Sequence, residues 1–505
     1  MDQSRSAQSR FKQASSLIAL LIALLLVLAT MPACGGGSAK FLNLGPGPNN
    51  AMLTGQYAFS FSGQNSNFSL IIAAGSFTAD GNGHITTGLE DVTAAGTASQ
   101  SLTFTGTYAI GSDGRGTALI KTSNGSATWQ FTMLNSSHAL LIRFDLGAVT
   151  ASGAIDKQDP TAFSSAKLQG DYVFGLSGIG TSGTTLATAG LWAMDGAGNV
   201  SNGVIDVSDE KAGVLQSSAL SGTYNVASNG RGTATITSGY GTQNFVFYVV
   251  NGTDLKFVET DGVPAVSGEV LKAAAPYTAA SLNGGLAFTL GGVDRNTLFP
   301  TGVGGVMTAD GNGNLSGTLD VNDGGNASLG GSIGGTYSFA ANGRGILNLT
   351  NTALGNLQFA IYPAQNHIIE LVEIDVTAIL SGVAKAQTAS PFAPGSVAGP
   401  FAVNFTGVLS SANGTTEEDI TGQVNADGSR NLTGILDIST LATRTQGTSL
   451  SASTYTVGTD GRGTATINIP GATFTMQTYQ IDANTVLFLD VDSFRILVGV
   501  MQKQQ

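Results

Sequence analysis

The stretch LTFTGTYAIGSDGRGT, residues 102–117, decides how the chain is read. Leu102, Phe104, Gly106, Tyr108 and Ile110 alternate with Thr103, Thr105, Thr107 and Ala109, the period-two pattern of a strand with one buried face. Asp113-Gly114 follows, a pair that can supply the positive φ angles of a primed hairpin turn, and Arg115 opens the next strand. Two antiparallel strands joined by a short turn are expected here.

The same phrase recurs. Thr-Tyr followed by Gly-Arg-Gly occurs at Thr107-Tyr108 with Arg115, Thr223-Tyr224 with Arg231, Thr336-Tyr337 with Arg344 and Thr454-Tyr455 with Arg462. Other landmarks step with it: Gly55, Gly170, Gly284 and Gly399 near the start of each copy, then Asp80-Gly81, Asp195-Gly196, Asp310-Gly311 and Asp427-Gly428. An internal repeat of roughly 115 residues is a domain and not a solenoid turn, because a unit of that size can enclose its own core. The copies are expected at 51–157, 166–273, 280–387 and 397–503. Pro160 to Phe163, Pro276-Tyr277 and Pro391-Phe392 read as short extended linkers between them, since the residue before a proline favours extended backbone.

In the first copy Tyr57, Phe59 and Phe61 alternate with Ala58 and Ser60, and Trp129, Phe131 and Met133 with Gln130 and Thr132. About eight strands are counted, near 55–62, 69–78, 84–92, 101–110, 116–122, 127–134, 139–146 and 150–156. Eight hairpin-linked strands with one apolar face can close into an up-and-down β-barrel, which removes unpaired edges. The fold class is therefore all-β, four tandem antiparallel barrels, with a two-sheet β-sandwich as the alternative. Composition agrees: 70 glycines in 505 residues and 11% charged residues disfavour helices, while 42% hydrophobic residues argue against disorder. A net charge of −12 without a basic patch excludes nucleic acid as a partner.

Arg5, Arg10 and Lys12 precede an apolar run from Leu17 to Thr30, and Met31-Pro32-Ala33-Cys34 follows, the three parts of an export signal. Residues 1–33 are read as a signal peptide, and 34–50, rich in Gly, Ser and Pro, as a flexible tether. The alternative is an uncleaved membrane helix, for which the run is short. Removing residues 1–33 takes away three positive charges and one negative, leaving −14. With Cys34, the single cysteine, occupied by lipid, no thiol is left for disulfides or a metal site.

The small residue before Cys34 resembles a bacterial lipobox, which implies that Cys34 is lipidated. The opening Gly-x-Tyr strand resembles the first strand of lipocalin- and avidin-type barrels. Together with the Asp-Gly-x-Gly and Gly-Arg-Gly-Thr repeats, this start resembles uncharacterised repeat lipoproteins of Acidobacteria-type soil bacteria. That resemblance implies an address and an architecture and no catalytic residues.

A search for chemistry finds little. Asp310-Gly-Asn312-Gly-Asn314 begins like a calcium loop but lacks its later ligands, and Ala197, Ser429 and His84 replace the oxygens in other copies. It is read as a hairpin turn. The Gly-x-Gly tripeptides lack the Lys-Ser/Thr of a phosphate loop, and His84, His138 and His367 form no zinc or esterase motif. They are read as surface histidines, and Trp129 and Trp192 as core. Glu259 and Asp261, Glu373 and Asp375, and Asp490 and Asp492 occupy one position in three copies, with Arg143 and Asp145 in the first. Residues i and i+2 share a strand face roughly 6–7 Å apart, within the range of glycosidase pairs. With Val258, Val372 and Leu489 assigned to the core face, these carboxylates are expected on the solvated side.

Arg115, Arg231, Arg344 and Arg462 recur with Asp91, Asp206, Asp320 and Asp437, each ending a Gly-x-x-Asp in the same copy. A surface ion pair within each copy is expected, worth at most about 1 kcal/mol, with a repeated ligand site as the alternative. The sequence as a whole predicts a non-enzymatic lipoprotein without cofactor or metal, a binding or structural module. It is expected outside the cytoplasm, lipid-anchored to the outer membrane or surface of a Gram-negative bacterium, with an unknown envelope partner. The alternatives are a carrier of small apolar ligands inside the barrels and a carbohydrate-active enzyme.

Overall fold

The computed structural model describes residues 47–505, apart from 95, 124, 275–277, 389–390 and 412–413. The leader, Cys34 and Pro276-Tyr277 lie outside the described residues. Strands dominate, and the described residues contain no α-helix.

The first copy has strands β1 (Thr54–Asn65), β2 (Leu70–Asp80), β3 (His84–Ala94), β4 (Thr97–Ile110), β5 (Arg115–Thr122), β6 (Gly125–Asn135), β7 (His138–Asp145) and β8 (Val149–Lys157). Each pairs antiparallel with the next, and β1 pairs with β8, for example Phe59 with Ile155, so the sheet closes. Residues 169–272, 283–386 and 398–503 repeat the arrangement, giving four closed eight-stranded barrels. In the fourth, strand 4 is broken into Arg444–Ser449 and Ser453–Tyr455, where Ala452 takes a positive φ of 45°. Both pieces still pair with strand 3.

Alternation puts the large apolar side chains inside. Phe59, Phe77, Phe104 and Trp129 meet at ring-centroid separations of 4.8–6.3 Å in barrel 1. Glycines opposite the rings make room for them: a Cβ on Gly88 would lie 2.3 Å from Phe104, and one on Gly232 2.2 Å from Phe247. The small-against-large pairing fills each interior, as small barrels require.

Two landmarks recur together because they bond one another. A short 3₁₀ turn leads into each barrel, and the Thr-Tyr tyrosine reaches across the barrel mouth to hold it. Tyr108 donates to Leu53 O (2.7 Å), Tyr224 to Leu168 O (2.8 Å), Tyr337 to Leu282 O (2.6 Å) and Tyr455 to Val397 O (2.8 Å). The turn before each recurrent arginine differs from the expected primed type. Only its glycine has positive φ, 82° at Gly114 and 83° at Gly230, with Gly111 N donating to Arg115 O. It is a wider turn closed by a left-handed glycine.

The barrels form a ring. Strands 1–3 of barrel 1 pack on strands 6–8 of barrel 2, and the same relation repeats from 2 to 3, from 3 to 4 and from 4 back to 1. All four point the same way. Lower ends, which hold the 2–3, 4–5 and 6–7 turns, meet through Asp159 N to Val250 O and Gln505 N to Leu134 O. Upper ends meet through Thr93 Oγ1 to Glu259 O and Arg295 Nη1 to Asp209 O. Outer strand faces that would otherwise be wet are thereby apolar: Ala58, Ile72, Val246, Val258 and Ala265 form one cluster between barrels 1 and 2.

Candidate functional site: the junctions between barrels

Each recurrent aspartate sits on strand 3 opposite a β-bulge of strand 4, where the register slips, as where Ile205 pairs with Ser218 but Val207 with Leu215. Ordinary alternation points its carboxylate out of the barrel, between the inward Ile205 and Val207 in the second copy. One oxygen accepts a backbone N–H from strand 4: Ser101 to Asp91, Ser217 to Asp206, Gly330 to Asp320 and Gly447 to Asp437, at 2.7–2.9 Å. All four donors, Ser101, Ser217, Gly330 and Gly447, have positive φ.

The recurrent arginine that meets each carboxylate comes from the next barrel and not from the same copy. Arg231 binds Asp91 through Nε and Nη2 at 2.8 and 2.8 Å, Arg344 binds Asp206 at 2.7 and 2.6 Å, and Arg462 binds Asp320 at 2.8 and 2.6 Å. A tyrosine on the neighbouring strand donates to the same carboxylate: Tyr248 to Asp91 (2.6 Å), Tyr362 to Asp206 and Tyr479 to Asp320 (2.9 Å). The expected within-copy pair fails because strand 3 faces the following barrel while strand 5 faces the preceding one. These aspartates are 0% exposed. The pairs are buried forks, and the phenols' pKa values rise through burial first and the adjacent carboxylate second.

The fourth junction departs from this pattern. Arg115 is held by Asp113 of its own turn (2.8 Å) and touches Asp437 of barrel 4 through Nη1 alone, at 3.4 Å. Thr132 stands where the others carry tyrosine, 3.4 Å from Thr421. Burial pushes the Asp437 carboxyl above its usual range despite Arg115. Nearby, Asp419 is fully buried between Thr150 (2.6 Å) and Thr406 (2.7 Å), and burial raises its pKa to about 7. The apolar patch here is small, Leu134, Leu140 and Ala402.

Two further expectations are corrected. Glu259, Glu373 and Asp490 are 0% exposed, inside the barrels, while Val258, Val372 and Leu489 face the neighbouring barrel. A buried outer face is as apolar as a core, so hydrophobicity could not tell inside from outside. Burial raises these carboxyls to about 8, 9 and 8, so they are protonated at neutral pH. Their partners Asp261 and Asp375 accept backbone N–H groups from Asn244 and Gln358. His138 is not a plain surface residue either. Its Nδ1 lies 2.5 Å from Asp156, whose other oxygen is 2.8 Å from the fully buried Lys256 of barrel 2.

Asp310 uses its oxygens within its own turn, accepting from Asn312 N, Asn314 N and the Asn314 amide at 2.7–3.0 Å. Trp129 and Trp192 are core, at 1% and 2% exposure. The tyrosines were missed in the sequence, although one stands 17 or 18 residues after Arg231, Arg344 and Arg462 and Thr132 stands 17 after Arg115.

No protein-family model and no curated protein matches the chain. Among solved structures it is similar to isotype 1 transferrin binding protein B from serogroup B Neisseria meningitidis, at 8% identity over 73% of this chain and 83% of that one, TM-score 0.22. A double mutant of transferrin binding protein B from Haemophilus parasuis Hp5 follows at 10% identity, 72% and 82% coverage and TM-score 0.20. Intact Ap-TbpB, with N and C lobes, follows at 9%, 72% and 84%, and 0.17. Superposition this poor carries no argument about function, and nothing in these matches bears on the Acidobacteria-type resemblance.

Proposed function

We propose that the protein is a non-enzymatic cell-envelope lipoprotein, a closed four-barrel scaffold that presents its turns for binding or structural work. The carrying observation is that the barrels are full. Aromatic rings pressed onto glycines occupy barrel 1, and the void inside barrel 4 is about 10 Å³, at the lower limit for a single water. A carrier of apolar ligands would need a chamber of about 300 Å³ or more. The space of about 550 Å³ where the barrels meet, lined by Leu140, Val383, Leu487 and Val498 as well as Ser62, Thr289, Lys385 and Glu417, lies outside the barrel interiors in which a carrier would hold its ligand. The paired acids that suggested a glycosidase each have one member sealed in a barrel.

Cell fractionation tests the address: the full chain should sediment with membranes and Cys34→Ser should be released to a soluble, extracytoplasmic fraction. Retention of that variant on membranes would favour the uncleaved helix. Native mass spectrometry tests the scaffold reading. The purified protein should carry no small molecule, and one lipid-sized adduct per barrel would restore the carrier.

A further inference from the structure

The ring has two unlike ends. Eight large apolar side chains are exposed among the described residues: Phe68, Leu146, Val263, Leu298, Phe299, Leu329, Val376 and Phe494. Every one lies at the upper end, in or beside the 1–2, 3–4 or 7–8 turns. The 7–8 turn contributes one from each barrel: Leu146 at 55% exposure, Val263 at 39%, Val376 at 76% and Phe494 at 45%. The exposed charges there, among the described residues, are Lys121, Lys211, Arg444 and Asp261. The lower end is built of Asp-Gly and Asn-Gly turns and is rimmed by the exposed acids Asp195, Asp310, Asp427 and Asp460. Bonds from their own turns hold the first three below the usual carboxylate range.

We propose that the upper end of the ring lies on a lipid bilayer of zwitterionic headgroups, with Leu146, Val263, Val376 and Phe494 entering it at four corners. Three observations select a lipid surface over another occupant. The apolar residues stand on separate turns of separate barrels, and a fluid surface accepts scattered knobs, whereas a protein partner needs one contiguous complementary patch. The exposed charges of this face, Lys121, Lys211, Arg444 and Asp261, are few and mostly basic, suited to headgroup phosphates, while at the opposite end exposed acids, Asp195, Asp310, Asp427 and Asp460 among them, outnumber the bases Lys157, Lys167 and Arg430. Finally, the chain outside the structure permits it. Residues 34–46 can span about 45 Å when extended, more than the ~36 Å of an 11-residue strand, so an anchor at Cys34 does not commit the lower end to the membrane.

The proposal rests on the envelope reading only for proximity to lipid, and its test leaves Cys34 out. Each barrel closes, and each junction is made, by contacts among residues 47–505, and that segment is used. In flotation with phosphatidylcholine vesicles, residues 47–505 should rise with lipid. The variant Leu146→Ser/Val263→Ser/Val376→Ser/Phe494→Ser should lose at least tenfold in bound fraction while melting as the parent does. Asp195→Asn/Asp310→Asn, at the lower end, should float unchanged. Failure of the parent to float, or equal flotation of the four-site variant, would overturn the proposal. So would sedimentation showing a lipid-free dimer that the four-site variant abolishes, since a second copy would then own the face. Because vesicle binding by the ring would by itself hold Cys34→Ser on membranes, the fractionation is read with the four-site changes added to Cys34→Ser, so that release reports on the lipid anchor alone.

Discussion

Between barrels 2 and 3, Arg344 and Tyr362 close on a carboxylate that has no access to water, and Leu191, Val204, Val372 and Ile379 pack beside them. Between barrels 4 and 1 the same positions hold an arginine turned toward its own Asp113, a threonine in place of the tyrosine, and a buried acid, Asp419, met only by hydroxyls. The first kind of junction joins copies that are neighbours in sequence, and the second joins the two that are most distant. A linker of a dozen residues keeps sequential barrels at high effective concentration whether or not the junction is strong, whereas the closing contact must bring together segments some 300 residues apart. The contact that needs the most help from side chains has the least. The ring should therefore open first between barrels 4 and 1.

Arginine removal should give the largest contrast. Arg344→Ala leaves Asp206 buried without its cation and should weaken the junction between barrels 2 and 3 by about 3–5 kcal/mol. Arg115→Ala takes away one long contact and should cost about 1 kcal/mol or less. Chemical denaturation followed by barrel-resolved hydrogen exchange measures both, and equal losses would erase the distinction between junctions.

Asp419 makes the closing contact pH-dependent. Its carboxyl titrates near 4 when unfolded and is raised to about 7 by burial in the closed ring. The closed state thus binds the proton more tightly, so closure is strongest below pH 4 and weakens as pH rises to 7. Amide protection around residues 150 and 419–421 should fall between pH 5 and pH 8, and Asp419→Asn should flatten that fall. A variant that keeps the full pH dependence would assign it to other groups.

A small and local effect is expected from the last residues. Gln504 Nε2 donates to Met133 O at 2.9 Å and Gln505 N to Leu134 O at 2.8 Å, the bonds that Gln158 and Asp159 make to barrel 2 at Val249 O and Val250 O. Deleting Gln504 and Gln505 should cost about 1–2 kcal/mol and loosen barrel 1 against barrel 4 alone, as exchange at Met133 and Leu134 would show.

Much of the barrel was legible. Period-two alternation in 102–110 and the spacing of turn residues gave the strands of the first copy nearly to their ends, because those signals are local. The closed barrel followed from eight hairpin-linked strands in succession. What pairs between copies was not legible, since Arg231 recurring beside Asp206 is equally compatible with a bond inside one barrel and a bond to the next. The strand-4 bulge that aims the Ser217 N–H at Asp206 has no side-chain signature in Leu215, Gln216, Ser217 and Ser218. Nor could Val258 be separated from Glu259 as the core residue. In an isolated barrel the carboxylate would be wet, and only the neighbouring barrel, which covers Val258, reverses the assignment.

Small-angle X-ray scattering of residues 47–505 tests ring closure most directly. A closed ring predicts one compact particle with a radius of gyration near the roughly 23 Å of a compact body of this length and a single-peaked distance distribution. A radius well above that, with a long tail in the distance distribution from four barrels strung in line, would contradict the ring and with it the junctions on which this account of the protein depends.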